Sequence, residues 1–185
     1  MTGTPGSGKT TLARQIADRL GLPHIELAAH YWCPNWQPCP PTTFAAQLRT
    51  CLATDAWVID GLYHKELTWA RADTLIWLDY PLHIVLTRLL RRTIRQIITQ
   101  ERLWGGPNRE TWRRAFFSRD SLVWSALFGH HRRRRRDQRR LKQPTYAHLA
   151  VIRLRTPAQA DRWLATVAPA RTAVCNTRRL LWRSR

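Results

Sequence analysis

The chain has 185 residues, a formal net charge of +19 and 44% apolar content that includes ten Trp, enough to build one domain with a sizeable core. No run of about 18 uncharged apolar residues occurs, and the start lacks the basic-then-apolar plan of a signal peptide, so neither a membrane helix nor export is indicated and the cytoplasm is the expected compartment. Lysine stands only at positions 9, 65 and 142, so the positive charge is almost all Arg, whose planar fork grips phosphate oxygens in pairs, and the composition points to phosphates before it points to DNA.

In chain order, the first signal is GTPGSGKT, Gly3 to Thr10, which fits G-x-x-x-x-G-K-[ST], the phosphate-binding (Walker A) loop. Its glycines let backbone N–H groups converge on phosphates, while Lys9 and the start of the following helix add positive potential. The binding set is Gly3, Pro5, Gly6, Ser7, Gly8, Lys9, Thr10 and Thr11, with Thr10 the expected magnesium ligand. A helix over 9–20 places Leu12, Ile16 and Leu20 four apart, and Gly21 and Pro23 stop it. A short strand over 24–28 follows. The Trp- and Pro-rich stretch 31–41 reads as an ordered loop or small lid, and a helix over 42–53 has Thr42 or Thr43 as its cap.

AWVIDG, 56–61, is an apolar run that ends in an acid and a glycine, the pattern of a buried parallel strand whose end opens on an active site. TLIWLDYP, 74–81, repeats it with Asp79. A helix over 82–100 turns Leu82, Val85, Leu86, Leu89 and Leu90 inward and leaves Arg88, Arg91, Arg92 and Arg95 on a basic side. Gly105, Gly106 and Pro107 break it as a hinge. A second long helix is expected over 110–141, then a strand over 148–154, and a last helix that Thr156 caps and Pro157 opens. Periodicity fades from residue 168, so 168–185 reads as a basic tail. The four cysteines, Cys33, Cys39, Cys51 and Cys175, show no zinc-site spacing and read as reduced thiols.

A phosphoryl transferase needs an acid near its metal, and Asp60 and Asp79 are the acids that end apolar strands; Asp60, with Gly61 behind it, is the first choice. Asp79, before Tyr80-Pro81, suits a loop anchor better. Arg88 and Arg92, four apart, share one helix face and can address one ligand. Tyr31, Trp32 and Trp36 could stack a flat ring or pack the small lid on the core. In HHRRRRRDQRR, five consecutive Arg go all round a helix, so most must be solvated; Arg132 to Arg140 with the basic tail forms a candidate nucleic-acid contact.

GTPGSGKTTLARQIA, WVIDGLY, ADTLIWLDYPLHIVLTRLLRRT and VIRLRTPAQADRWL, in that order, resemble an adenylate-kinase-like P-loop protein, and more closely the bacterial proteins described as adenylate-kinase-like or DNA topology modulation proteins. The resemblance covers Thr2 to about Thr166 and implies an α/β three-layer sandwich with a parallel sheet ordered 2-3-1-4-5. It also implies one domain over 1–167 with an acceptor lid at 31–41 and an Arg-rich lid at 101–141. ATP and Mg2+ are the implied cofactors, with transfer of the γ-phosphate to a small acceptor such as a nucleotide. By the same resemblance Asp60 works with the metal beside Thr10, Arg88 covers the adenine, Arg92 reaches phosphate, and Thr156 and Pro157 border the adenine. Arg102, Arg109, Arg113 and Arg119 flank the hinge and are the candidates for the lid arginines that close over the phosphate, among which spacing does not choose; Arg109 joins Lys9, Asp60 and Arg92 as the expected catalytic set. Two positions depart from the pattern. Ala28 stands where an acceptor-facing Asp is expected, with Glu26 or His30 as substitutes, and Leu62 stands where Asn is expected. The competing function is a nucleic-acid-associated ATP-binding protein or a nucleotide binder without turnover.

Only Met1 and Thr2 precede the loop, where a buried strand belongs. The expectation is that the inner edges of 56–60 and 74–79 lie unpaired, and that the genuine chain carries about five to eight mainly apolar residues upstream.

Overall fold

The computed structural model describes residues 1–61, 63–104, 106–118 and 121–168. Leu62, Gly105, Arg119 and the tail beyond residue 168 lie outside the described residues, and the expectations placed on them stop there. The elements alternate as the sequence pattern predicts: β1 (Thr2–Gly3), α1 (Lys9–Leu20), β2 (His24–Glu26), α2 (Leu27–Tyr31), α3 (Pro41–Cys51), β3 (Val58–Asp60), α4 (Lys65–Arg71), β4 (Thr74–Leu78), α5 (Leu82–Thr99), α6 (Trp112–Phe117), α7 (Leu122–Leu141), β5 (Ala150–Leu154) and α8 (Pro157–Thr166). Among the described residues every strand pair is parallel, and helices lie between the strands in an α/β arrangement.

The sheet is built in two parts. β1, β4 and β5 pair in the order 1-4-5, and β2 pairs with β3. Between the parts one hydrogen bond crosses, from the Met1 amino group to the Ile59 carbonyl at 2.6 Å. The linear order is thus the expected 2-3-1-4-5, with the 3-1 junction reduced to that bond. The expectation of two bare inner edges is corrected: Thr2 and Gly3 pair with Trp77 and Leu78, so the functional end of β4 is laddered. Burial is what pushes the Met1 amine down to about 5, with Asp60 opposing the shift.

Leu12, Ala13, Ile16 and Ala17 of α1 pack with Val58, Ile76, Leu78, Val85, Leu154 and Leu164, covering the sheet face to which Ile76 and Leu78 of β4 and Leu154 of β5 point. A second cluster, Ile25, Leu27, Phe44, Leu48, Leu52 and Ile59, seats α3 against β2 and β3. On α5 the buried residues are Val85, Leu89, Thr93, Gln96 and Ile97, while Arg88, Arg91, Arg92 and Arg95 are exposed, as the periodicity indicates. Thr156 accepts a hydrogen bond from the Gln159 amide at 3.1 Å and Pro157 opens α8, as expected of a cap and first-turn pair.

Several boundaries differ. β2 ends at Glu26, because Ala28 and Ala29 favour the short helix α2. α3 begins at Pro41, whose fixed φ suits a first turn, and no side chain caps it, so Thr42 and Thr43 have no such role. α4 fills a stretch to which the sequence pattern assigned no element. The helix expected over 110–141 is two helices, because Thr111 and Ser121 each start one by accepting from the amide three residues on.

Candidate functional site

The phosphate-binding loop runs from β1 into α1 across Gly3 to Gly8. Gly6 has φ +86, and a Cβ there would stand 2.7 Å from both the Leu89 Cβ and the Val85 carbonyl, so the loop lies directly on α5 only because the residue is glycine. Gly61 plays the same part behind Asp60: at φ +142 its absent Cβ leaves room for Leu27, 2.6 Å away. Gly8 caps α1 in the left-handed region, and the guanidinium of Arg88 lies 3.5 Å from the position its Cβ would take. Arg88 therefore sits at the loop, over the ring of Tyr80 at 5.6 Å.

Lys9 is buried, and its Nζ donates to the carbonyls of Gly3 and Thr4 at 3.0 Å each. Burial pushes its pKa down to about 7; Asp60 opposes the shift, and Arg133, Arg92 and Lys65 add to it. Lys9, Arg92 and Arg133 thus act on one short loop opposite Asp60, while Lys65 is paired with Asp137. Such a site is short of negative charge and suits a phosphate chain. The Thr10 hydroxyl donates to one oxygen of Asp60 at 2.7 Å, and His24 Nε2 donates to the other at 2.7 Å. Asp60 is 3% exposed. A hydroxyl and a carboxylate held together at the mouth of a phosphate loop are hard oxygen donors, the chemistry a magnesium ion takes.

α7 lies along the other side of the loop. The His130 ring bonds the Thr4 hydroxyl at 2.9 Å, and Asp137 accepts from Lys65 at 2.7 Å and from Thr2 at 3.3 Å. Val123 and Ala126 pack on Leu89 of α5. The Arg run divides accordingly: Arg133 and Arg134 turn partly inward, while Arg132, Arg135, Arg136 and Arg139 are exposed. Arg133 reaches Ser125 at 3.0 Å through Nη2, but its Nη1 is buried without a hydrogen-bond partner, as is the Ser7 hydroxyl within the loop. An orphaned buried donor beside Lys9 is a group prepared for an acceptor oxygen. Arg134 and Arg153 both clamp Asp79, each at 2.8 Å, which makes Asp79 the anchor its sequence position suggests.

The expected acceptor region closes on itself. Tyr31 stacks on Tyr63 with ring centres 3.9 Å apart, and Trp32, Trp36 and Trp104 meet edge to face. Arg114 covers the Trp36 ring at 3.6 Å. The Trp36 amide donates to Asn108 Oδ1 at 2.9 Å, the Trp36 indole to the Arg109 carbonyl at 3.1 Å, and Asn108 back to the Cys33 carbonyl at 3.0 Å. The segment at 31–41 is therefore latched to the segment at 104–114, and Trp32 and Trp36 spend their faces on packing. A cleft of about 640 Å³ opens beside the latch, lined in part by Trp36, Arg109, Arg113 and Phe117. Glu26 accepts from the Trp104 indole at 2.9 Å, and His30 lies 4.0 Å from the Cys51 sulfur.

The structure brings Gly3, Gly6, Gly8, Lys9, Thr10, Asp60, Arg88 and Arg92 to one place. Pro5, Ser7 and Thr11 follow as parts of the same loop. The Arg109 side chain is exposed and its carbonyl accepts from the Trp36 indole, while Thr156 and Pro157 serve as the start of α8. Sequence reading missed His24, His130 and Arg133. HHRRRRRD contained the signal for the last two, in that only inward positions at helical spacing can meet the loop, but which arc faced inward was invisible.

Comparison with known families matches residues 1–105 to a family described as an AAA domain. The chain belongs to this family. The matched span contains the loop, His24, Asp60 and Arg92. Two curated relatives, both named cytidylate kinase and both from strains of Nitratidesulfovibrio vulgaris, are 38% identical over 63 residues, 33% of this chain and 27% of each relative. The chain thus aligns with about a quarter of the length of the curated relatives it matches. No solved structure shows a significant match. Among the described residues, no helix is long and apolar enough to cross a membrane.

Proposed function

We propose that the chain is a magnesium-dependent phosphotransferase of the adenylate-kinase-like type, moving the γ-phosphate of ATP to a small acceptor of nucleotide class in the cytoplasm. The observation that carries the reading is the Thr10–Asp60 hydrogen bond at 2.7 Å beside a Lys9 whose neighbours Arg92 and Arg133 are also cations. Relatives named cytidylate kinase favour a nucleoside monophosphate as the acceptor.

In this reading Lys9 leaves the carbonyls of Gly3 and Thr4 for the β- and γ-phosphates, and the loop amides hold the chain in line. Magnesium would be held by Thr10 and Asp60 and would supply charge neutralisation on the phosphate oxygens. Arg92 and Arg133 approach the transferred group from α5 and α7, and Arg109 closes from the lid segment, so that catalysis is positioning and electrostatic stabilisation in a water-poor cleft. Arg88 contacts the ATP side, and Thr156 and Pro157 border its base. With Ala28 at the acceptor position, Glu26 is the acid left to face the acceptor once Trp104 releases it.

The test is an acceptor screen read by ADP formation, run on the wild type and on Asp60→Asn. Acceptor-dependent ADP release by the wild type, lost in the variant, supports the reading. Release that no small acceptor stimulates refutes it.

A second reading has one observation in its favour. Trp124 and Phe128 stack on each other at 5.4 Å and are exposed, in line with exposed Arg132, Arg135, Arg136 and Arg139 on the same arc of α7. Rings and cations in one stripe suit a single-stranded nucleic acid. Salt-sensitive binding of an oligonucleotide that Trp124→Ala and Phe128→Ala weaken would support it, and binding indifferent to both would refute it.

A further inference from the structure

The Asp60 carboxylate is held from two sides, by Thr10 and by His24. Asp60 ends β3, and β2 runs parallel beside it with His24 opposite Val58 and Glu26 opposite Asp60. Residues two apart on a strand point to the same side, so His24 and Asp60 lie diagonally on one face. There the His24 ring reaches Oδ1 of Asp60 at 2.7 Å while Thr10 reaches Oδ2 at 2.7 Å. The side chains are 15% and 4% exposed. A carboxylate only accepts, so the ring nitrogen carries the hydrogen. Held at both oxygens, the carboxylate has one orientation, with Oδ2 toward the phosphate loop. Without His24, Oδ1 would be a buried acceptor stripped of its 2.7 Å donor, and the carboxylate would turn to satisfy it.

We propose that His24 is a positioning residue for Asp60: its Nε2–H fixes the carboxylate in the orientation that presents Oδ2, beside the Thr10 hydroxyl, to the divalent cation of the bound nucleotide. The inference rests on the reading of Asp60 as the metal-side acid. His24 itself touches neither nucleotide nor acceptor. A hydrogen-bonded partner behind a metal-side carboxylate commonly sets affinity by about 10- to 100-fold.

The experiment compares His24→Gln with His24→Asn. The Gln amide nitrogen reaches about as far as Nε2, whereas the Asn amide is one methylene shorter, and the two are alike in polarity. Mn2+ is titrated into protein saturated with a non-hydrolysable ATP analogue, and the protein-held ion is read from its paramagnetic resonance spectrum. The Asn variant is expected to lose about 10-fold or more in Mn2+ affinity, and the Gln variant to stay within about threefold of the wild type. Nucleotide affinity measured in EDTA is expected to be unchanged in both. In turnover, the metal concentration for half-activation rises in the Asn variant while kcat at saturating metal is largely restored.

Asn and Gln variants that bind Mn2+ equally well, both melting like the wild type, overturn the proposal, since a packing or polarity role would treat them alike. Asp60→Asn separates the two levels of the argument. If it lowers Mn2+ affinity while His24→Asn does not, the role of His24 alone fails. If it leaves Mn2+ affinity intact, the reading of Asp60 fails and the proposal falls with it.

Discussion

Replacing Lys65 with Met should strongly destabilise the protein, and the structure indicates by how much. Lys65 Nζ donates to both oxygens of Asp137, at 2.8 and 2.7 Å, and to the Thr2 hydroxyl at 3.1 Å. The two side chains are 5% and 2% exposed. Burial pulls the Lys65 pKa below its ordinary value against the attraction of Asp137, so this pair is held together by its geometry rather than by solvent. In Lys65→Met the Asp137 carboxylate keeps the Thr2 hydroxyl, at 3.3 Å, and remains buried without its cation. Breaking a buried pair on one side costs about 3–5 kcal/mol, whereas removing both charges is close to neutral. At roughly 2–4 °C per kcal/mol for a chain of this size, the single variant should melt about 6–20 °C lower. The double variant Lys65→Met/Asp137→Leu should recover most of that loss. Urea and thermal unfolding followed by far-UV circular dichroism read both. A single variant that loses less than about 1 kcal/mol, or a double variant as unstable as the single, would refute the reasoning.

Arg133→Met should weaken ATP binding by about tenfold, with little net change in thermal stability, because the lost bond to Ser125 is offset by removal of the orphaned Nη1, which costs the folded state free energy until an acceptor arrives; calorimetric titration and a melt check the two halves together. His130 adds a pH dependence. Burial lowers its pKa, with His131, Arg134 and Arg133 adding to the shift and Asp79 opposing it, while its ring bonds Thr4. The folded state therefore binds the proton less readily than the unfolded chain, so no stability is lost at neutral pH, and stability falls as pH drops below about 6.5. His130→Gln should flatten the fall in stability between pH 7 and pH 5.5, and a variant with the wild-type slope would exclude the effect. Trp36→Ala should unlatch the two segments, seen as faster amide hydrogen exchange across 104–114 with little change at β4; equal protection in both proteins would show that the latch carries no load.

The sequence by itself determined what short-range rules govern. GTPGSGKT needs its glycines for a loop that lies on α5, whatever else the chain does. The run VID before Gly61 could only be a buried strand ending in an acid, and Thr156-Pro157 could only start a helix, because caps and first turns depend on neighbours within four residues. Arg88 and Arg92 were legible because helical spacing alone puts them on one face. Tertiary structure decided what depends on partners far along the chain. Nothing local in HIELA says that His24 will meet Asp60, thirty-six residues away, or that Lys65 will meet Asp137 seventy-two residues on. The Arg run shows this limit most plainly. Its composition gives charge, and helical periodicity gives arcs, but only the packing of Val123 and Ala126 against Leu89 selects the arc that turns Arg133 toward Lys9 and leaves Arg132, Arg135, Arg136 and Arg139 in water. The acceptor region stayed open in the sequence for the same reason: its rings are as capable of stacking a ligand as of packing the lid, and the contacts of Tyr63, Trp104 and Arg114 decide for packing.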